Sequence, residues 1–268
     1  MRVATFNLHA GVDGWGRPTA ALDTVVGLDA DLVVLPETWR GEDEDMFEAL
    51  RTRTGSRGLF APLAHGLRAR GEADGRGWQP LGAHFTGERV LLFDEHRSLS
   101  RPQSAHRARA GTLERGDWGL ALLTRLPLDS AEVVPLGRMA REKVERALIV
   151  ARLSLEGRAF HAVALHGAHL SHGSPALYRR VNDRLAGLDP DLPILLAGDF
   201  NCWRPLLRAL LPDWRTLARG RTWPAYRPHS QIDHVLGRGP WRSTRSWTVD
   251  GGSDHLALVC EVDLGSSE

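Results

Sequence analysis

Short apolar runs bounded by Gly, Pro or Asp recur along the chain: Val3 to Leu8, Asp31 to Leu35, Arg89 to Phe93, Gly119 to Thr124, Ala147 to Leu155, Phe160 to Leu165, Ile194 to Ala197, Gln231 to Leu236 and Leu256 to Val262. Their length and β-rich content predict strands. Helical spacing lies between some of them. In Pro18 to Leu28, Pro18 suits a first turn and Leu22, Val25 and Val26 share a face; Glu44 to Thr54, Pro175 to Leu188 and Pro205 to Leu211 follow the same logic. The mixture predicts an α/β chain in which sheets form the core and helices lie outside.

No internal repeat or low-complexity linker divides the 268 residues, so a single domain over 1-268 is expected. The stretch at about 53-117, rich in Gly and Arg with one convincing strand, reads as a surface excursion carrying specificity. Composition is that of a globular protein, 42% hydrophobic and 25% charged, so disorder is not expected. A net charge of +1 supplies no global attraction for nucleic acid or anionic membrane, although a local basic groove stays open. Lys143 is the only lysine, a bias spread along the chain and not gathered at a phosphate site. The two cysteines, Cys202 and Cys260, have no paired spacing, which argues against a thiolate zinc site. No apolar run approaches the roughly 20 residues that cross a bilayer. Met1 leads almost directly into strand-like Val3-Ala4-Thr5-Phe6, so the expected location is cytoplasmic.

The chemistry gathers where strands end. Ile194 to Ala197 runs into Gly198-Asp199-Phe200-Asn201, and side chains two apart on extended chain point the same way, so Asp199 and Asn201 are expected to face one pocket. Gly251-Gly252-Ser253-Asp254-His255 precedes the last strand; its glycines could bring backbone close to a ligand, and an ionised Asp beside a His could hold a metal and a phosphate oxygen. Glu37 follows the apolar run Asp31 to Pro36, a suitable place for a carboxylate that binds a hard cation. Phe160 to His166 reads as a strand ending in histidine, and Asp233 opens the strand Gln231 to Leu236. Each feature alone has an ordinary structural reading, as a turn, a cap or a hydrogen-bonded histidine.

The ordered series Phe6-Asn7, Leu35-Pro36-Glu37-Thr38, residues 118 to 128, Val163-Ala164-Leu165-His166, Gly198-Asp199-Phe200-Asn201, Gln231-Ile232-Asp233-His234 and Ser253-Asp254-His255 resembles the endonuclease/exonuclease/phosphatase superfamily over nearly the whole chain. The resemblance implies a deoxyribonuclease I-like fold, two mixed β-sheets packed as a sandwich with flanking helices, and a pocket at one end. It implies a phosphoester hydrolase dependent on Mg²⁺ or Mn²⁺, the cation held by Glu37 with Asn7 and Asp254. Asp199 would orient or deprotonate the attacking water, Asn201 and His166 would contact non-bridging oxygens, and His255, oriented by Asp233, would stabilise the transition state or assist protonation. Two departures stand out. His9 occupies a place that some nuclease branches give to an acidic residue, and His169 competes with His166 as the family histidine, with His172 a further substitute.

The superfamily spans nucleases, lipid phosphodiesterases and small-molecule phosphatases, so the catalytic set does not name the substrate. Phosphodiester hydrolysis is the first expectation and phosphomonoester hydrolysis the second, on a nucleic acid, lipid or small molecule; no obligate protein partner is evident. Trp15, Trp39, Trp203 and Trp223 lie beside motif residues, and Trp203 is the ring expected to touch substrate. A catalytically silent binding protein on the same scaffold is the reading from another class, and it would predict a missing carboxylate or a missing Asp-Asn pair. Neither is missing.

Overall fold

The computed structural model describes residues 1–13, 17–71, 91–93, 111–142 and 144–265. Trp15, Lys143, and 72–90 and 94–110 of the expected excursion lie outside the described residues.

Where an apolar run is continuous, both of its faces are covered. In β8 (Arg158–His166), Phe160, Ala162 and Ala164 point to one core while Val163 and Leu165 point to another. In β9 (Ile194–Asp199), Leu195 and Ala197 take the first side and Ile194 and Leu196 the second. Period-2 alternation therefore divides one apolar run between two cores. The first core lies between two sheets and extends beneath α1 (Ala21–Gly27) and α2 (Met46–Thr54). The second lies beneath α3 (Ser174–Leu185) and α4 (Arg204–Leu210). Helix α2 begins at Asp45, whose carboxylate accepts from the Glu48 N–H at 3.0 Å, and ends at Gly55 in the left-handed region.

One sheet contains seven strands among the described residues, in the order β12 (Trp241–Val249), β13 (Ala257–Leu264), β1 (Arg2–Thr5), β2 (Leu32–Gly41), β5 (Gly111–Thr124), β3 (Arg57–Gly71) and β4 (Leu91–Phe93). The other contains six, in the order β10 (Arg215–Thr216), β11 (Asp233–Arg238), β9, β8, β7 (Ala147–Leu155) and β6 (Leu128–Pro135). Both sheets are mixed: β1 runs parallel to β2 and β8 to β9, with antiparallel pairs elsewhere. This is the expected two-sheet α/β sandwich with flanking helices. No helix among the described residues is long and apolar enough to cross a membrane.

The structure differs from the sequence reading at both ends of the 53-117 stretch, where β3 and β5 pair in the seven-stranded sheet from Arg57↔Thr124 to Gly71↔Gly111. Strands β6 and β12 carry almost no buried positions and sit at the sheets' edges, so their polar pattern concealed them.

Candidate active site

Strand pairing sets out three of the expected residues in a row. His166 at the end of β8 pairs with Asp199 at the end of β9, and Asp199 pairs with Asp233 at the start of β11. The row lies at one end of the six-stranded sheet. From the other sheet, β2 delivers Glu37 through a bulge: Pro36 faces Leu120 and Thr38 faces Gly119, leaving Glu37 as the extra residue with φ of 57°. Glu37 is thus inside the strand, not beyond its end as its sequence position suggested. A bulge re-aims one side chain without ending the ladder.

Asn7, buried just after β1, bridges the sheets. Its amide Nδ2 donates to Glu37 Oε1 at 2.9 Å and to Asp199 Oδ2 at 3.1 Å, while its Oδ1 accepts from the His9 N–H at 3.0 Å. Asn7 therefore presents its amide donors to the two carboxylates. The indole N–H of Trp118 donates to the other Glu37 oxygen at 3.3 Å, and its ring packs 5.1 Å from that of His166. His166 Nε2 stands 3.8 Å from both Glu37 Oε1 and Asp199 Oδ2.

The buried acids and imidazoles are tuned in opposite directions. Burial and the nearby Asp233 carboxylate push Asp199 up to about 7, against the opposing pull of His255 and of hydrogen bonds from Asn201 and Asn7. Burial, with Arg146 nearby, holds His166 well below the usual histidine range, so it is neutral. For His255 burial acts in the same sense but is outweighed by Asp233, Asp254 and Asp199, and its imidazole is held well above that range. The geometry agrees: His255 Nδ1 donates to Asp233 Oδ2 at 2.8 Å, and Nε2 lies 3.8 Å from Asp199 Oδ2.

Asn201 reaches Asp199 by a different route from the expected strand alternation. Strand β9 stops at Asp199, and Asn201 turns back in the left-handed region with φ of 48°; its N–H donates to Asp199 Oδ1 at 2.7 Å and its Nδ2 to the Gly167 carbonyl at 3.1 Å. Gly198, before Asp199, permits a close approach of β8 and β9: a Cβ there would stand 1.8 Å from the Leu165 carbonyl oxygen. Gly251 lets the backbone pack closely against the Phe6 ring and Thr24, and Gly252 supplies an exposed turn. His169 is exposed beside His172, with ring centroids 5.7 Å apart, and His166 is the histidine inside the cluster. Trp203 is exposed, whereas Trp39 is core.

Three residues that sequence reasoning left without a role are built into the site. Trp118 touches Glu37 and His166, and Arg146 donates to the His166 carbonyl at 3.3 Å. His9 is buried, and despite burial, which lowers it, Asp254 and Glu37 raise its proton affinity. Its place in the first motif was the available signal; Trp118 had only its position at the head of a motif strand.

Among the described residues, two sets of candidate ligand atoms lie within 4.8 Å of one another: Glu37, His166 and Asp199, and Asp199, Asp233 and His255. Asp254 belongs to neither set; Ser253 Oγ donates to it at 3.3 Å, and His9 and His255, against the opposing effect of burial, keep its carboxyl below the usual range. Carboxylate oxygens at the meeting of the sheets suit a hard divalent cation. Asp233 Oδ1 and His166 Nδ1 are buried without a protein partner, so the site holds polar capacity that the fold does not consume.

One end of the two-sheet sandwich thus gathers carboxylates and two oppositely tuned imidazoles. The model of the Endonuclease/Exonuclease/phosphatase family matches residues 4–255, and the chain belongs to that family. It is 30% identical over 170 residues to YbhP of Escherichia coli strain K12, a protein described as uncharacterized; the match takes in 56% of this chain and 64% of the relative, so the chain spans less than two thirds of the curated relatives it matches. Among solved structures it is similar to an endonuclease/exonuclease/phosphatase from Beutenbergia cavernae, with a TM-score of 0.65, 19% identity, and coverage of 99% of this chain and 72% of that one. It is also similar to the mannosyl-6-phosphatase Bt3783 of Bacteroides thetaiotaomicron, with a TM-score of 0.61, 13% identity, and coverage of 98% and 100%. The family is generally hydrolytic and acts on phosphoesters.

Proposed function

We propose that the protein is a divalent-metal-dependent phosphodiesterase. The observation that carries the reading is the row His166, Asp199, Asp233 with the His255 imidazolium clamped beside it and Glu37 and Asn7 facing it from the other sheet. Glu37 would hold Mg²⁺ or Mn²⁺, with Asp254 on the loop before β13 as the further acidic candidate. When bound, the cation supplies polarisation of the phosphoryl oxygen and offsets charge on the leaving oxygen.

The remaining roles follow from protonation. Asp199, pushed up to about 7, is matched to accept a proton from water at neutral pH. His255, kept cationic by Asp233, places positive charge beside Asp199, where negative charge grows on the phosphoryl group. Neutral His166 offers Nε2 to a non-bridging oxygen, and Asn201 fixes the turn that carries Asp199.

A diester carries a second organic group on phosphorus, and the site's rim supplies surface for it. Three of the exposed large hydrophobic residues lie in segments next to the strand ends that carry His166, Asp199 and Asp233: Leu170 in a short 3-10 helix after β8, Trp203 between β9 and α4, and Tyr226 between β10 and β11. The test is metal-dependent hydrolysis of bis-p-nitrophenyl phosphate against p-nitrophenyl phosphate. Diester kcat/KM should exceed the monoester value by about tenfold or more and fall several-fold in Trp203→Ala. A monoester preference unaffected by Trp203→Ala would replace the diesterase reading with a phosphomonoesterase.

A further inference from the structure

The turn that follows Asn7 is held from a distant strand. His9, Ala10 and Gly11 stand consecutively in the left-handed region, with φ of 47°, 53° and 73°, a conformation that residues bearing a side chain leave unless something retains them. Inside the turn, the Gly11 N–H donates to the Leu8 carbonyl at 2.8 Å and the Val12 N–H to the His9 carbonyl at 3.1 Å. The Ala10 carbonyl, at the middle, accepts from Nη1 of Arg68 on β3.

Arg68 is wholly buried. Its Nε donates to Glu114 Oε2 at 3.1 Å, its Nη2 to Glu44 Oε2 at 2.9 Å and also to Glu114, and its Cζ lies 5.1 Å from the Trp39 ring. Glu114 also accepts from the Glu44 N–H at 3.1 Å. Gly41 leaves room for this arrangement, since a Cβ there would stand 2.1 Å from Glu114 Oε1. A guanidinium tolerates burial when its charge is matched and its fork of donors is filled, and here one arm of the fork ends on the strained turn. That turn fixes Asn7 in its own right: the His9 N–H holds Asn7 Oδ1, which leaves Nδ2 aimed at Glu37 and Asp199.

We propose that Arg68 is a positioning residue for the Asn7 amide: by holding the Ala10 carbonyl it keeps the His9 to Gly11 turn left-handed, and the His9 N–H then points Asn7 between the two carboxylates. The effect on turnover rests on the hydrolase reading above; the effect on Asn7 does not. Arg68→Lys separates the two parts of the interaction, because an ammonium preserves the charge beside Glu114 and loses the planar fork that reaches Ala10.

Arg68→Lys should unfold cooperatively in urea like the wild type, while the Asn7 side-chain NH₂ resonances shift and exchange faster with solvent. On the diester, kcat should fall about tenfold or more with KM within about twofold, and in an Asn7→Ala background the same change should cost less than about twofold, because the two act as one unit. Unmoved Asn7 resonances, or kinetic losses that simply add, would overturn the proposal. If Arg68→Lys does not fold, the charge-neutral pair Arg68→Gln with Glu114→Gln carries the same test. A wild type inactive on every ester would sink the hydrolase reading and leave the Asn7 resonances to decide this one.

Discussion

Two histidines that look alike in the sequence end with opposite charges because of what surrounds them. His255 faces three carboxylates and is cationic, whereas His166 is buried near Arg146 and is neutral. That division supports specific expectations. Asp199→Ala and His255→Ala should each lower kcat by roughly 10²–10⁴-fold, while urea unfolding stays cooperative; near-normal turnover in both purified variants would remove them from the chemistry. Glu37→Ala should instead raise the Mg²⁺ or Mn²⁺ concentration needed for half-maximal rate by about tenfold or more, and an unchanged requirement would exclude Glu37 as the cation's ligand. The residues legible beforehand were those whose types announce chemistry beside apolar runs: Asn7, Glu37, His166, Asp199, Asn201, Asp233, Asp254 and His255. Trp118 and Arg146 were not, since a tryptophan within an apolar strand and an arginine just before one have ordinary packing roles, and only the meeting of β5, the start of β7 and β8 brings them to His166.

At the scale of elements, legibility followed coverage. Strands β7, β8 and β9 are apolar on both faces and were evident, whereas β3, with the exposed, charged or small positions of a long ribbon, and edge strands β6 and β12 were not. The Glu37 bulge was also hidden, because register depends on the partner strand. Gly198→Ala should destabilise by about 3 kcal/mol or more, since its φ of 147° and the Leu165 carbonyl both exclude a side chain; a shift of less than about 1 kcal/mol in urea unfolding would show that β8 and β9 can part there.

Strand β11 adds a pH dependence. His234 is buried, its Nε2 pairs with the Cys202 carbonyl at 2.9 Å, and burial lowers it from 6.5 to about 4. The unfolded chain therefore binds this proton first as pH falls. Its contribution is fully present above pH 6.5 and is lost as pH drops toward 4, a change of about 3 kcal/mol. The slope of stability against pH across that window should be shallower by about one proton in His234→Gln, and equal slopes would contradict it.

At the scale of the molecule, the site exists only where the two sheets meet. Glu37 and Asn7 come from one sheet, His166, Asp199 and Asp233 from the other, and Asp254 and His255 from the loop that returns to β13. The near-neutral net charge leaves substrate attraction to this local arrangement and not to a global field. The most direct measurement of the central claim is hydrolysis of bis-p-nitrophenyl phosphate by wild type and Asp199→Ala, each with Mg²⁺, with Mn²⁺ and with chelator. The expected result is turnover by the wild type that chelator abolishes, added metal restores and Asp199→Ala lacks. Turnover that persists in chelator or in Asp199→Ala, or no metal-dependent turnover by the folded wild type, would contradict it.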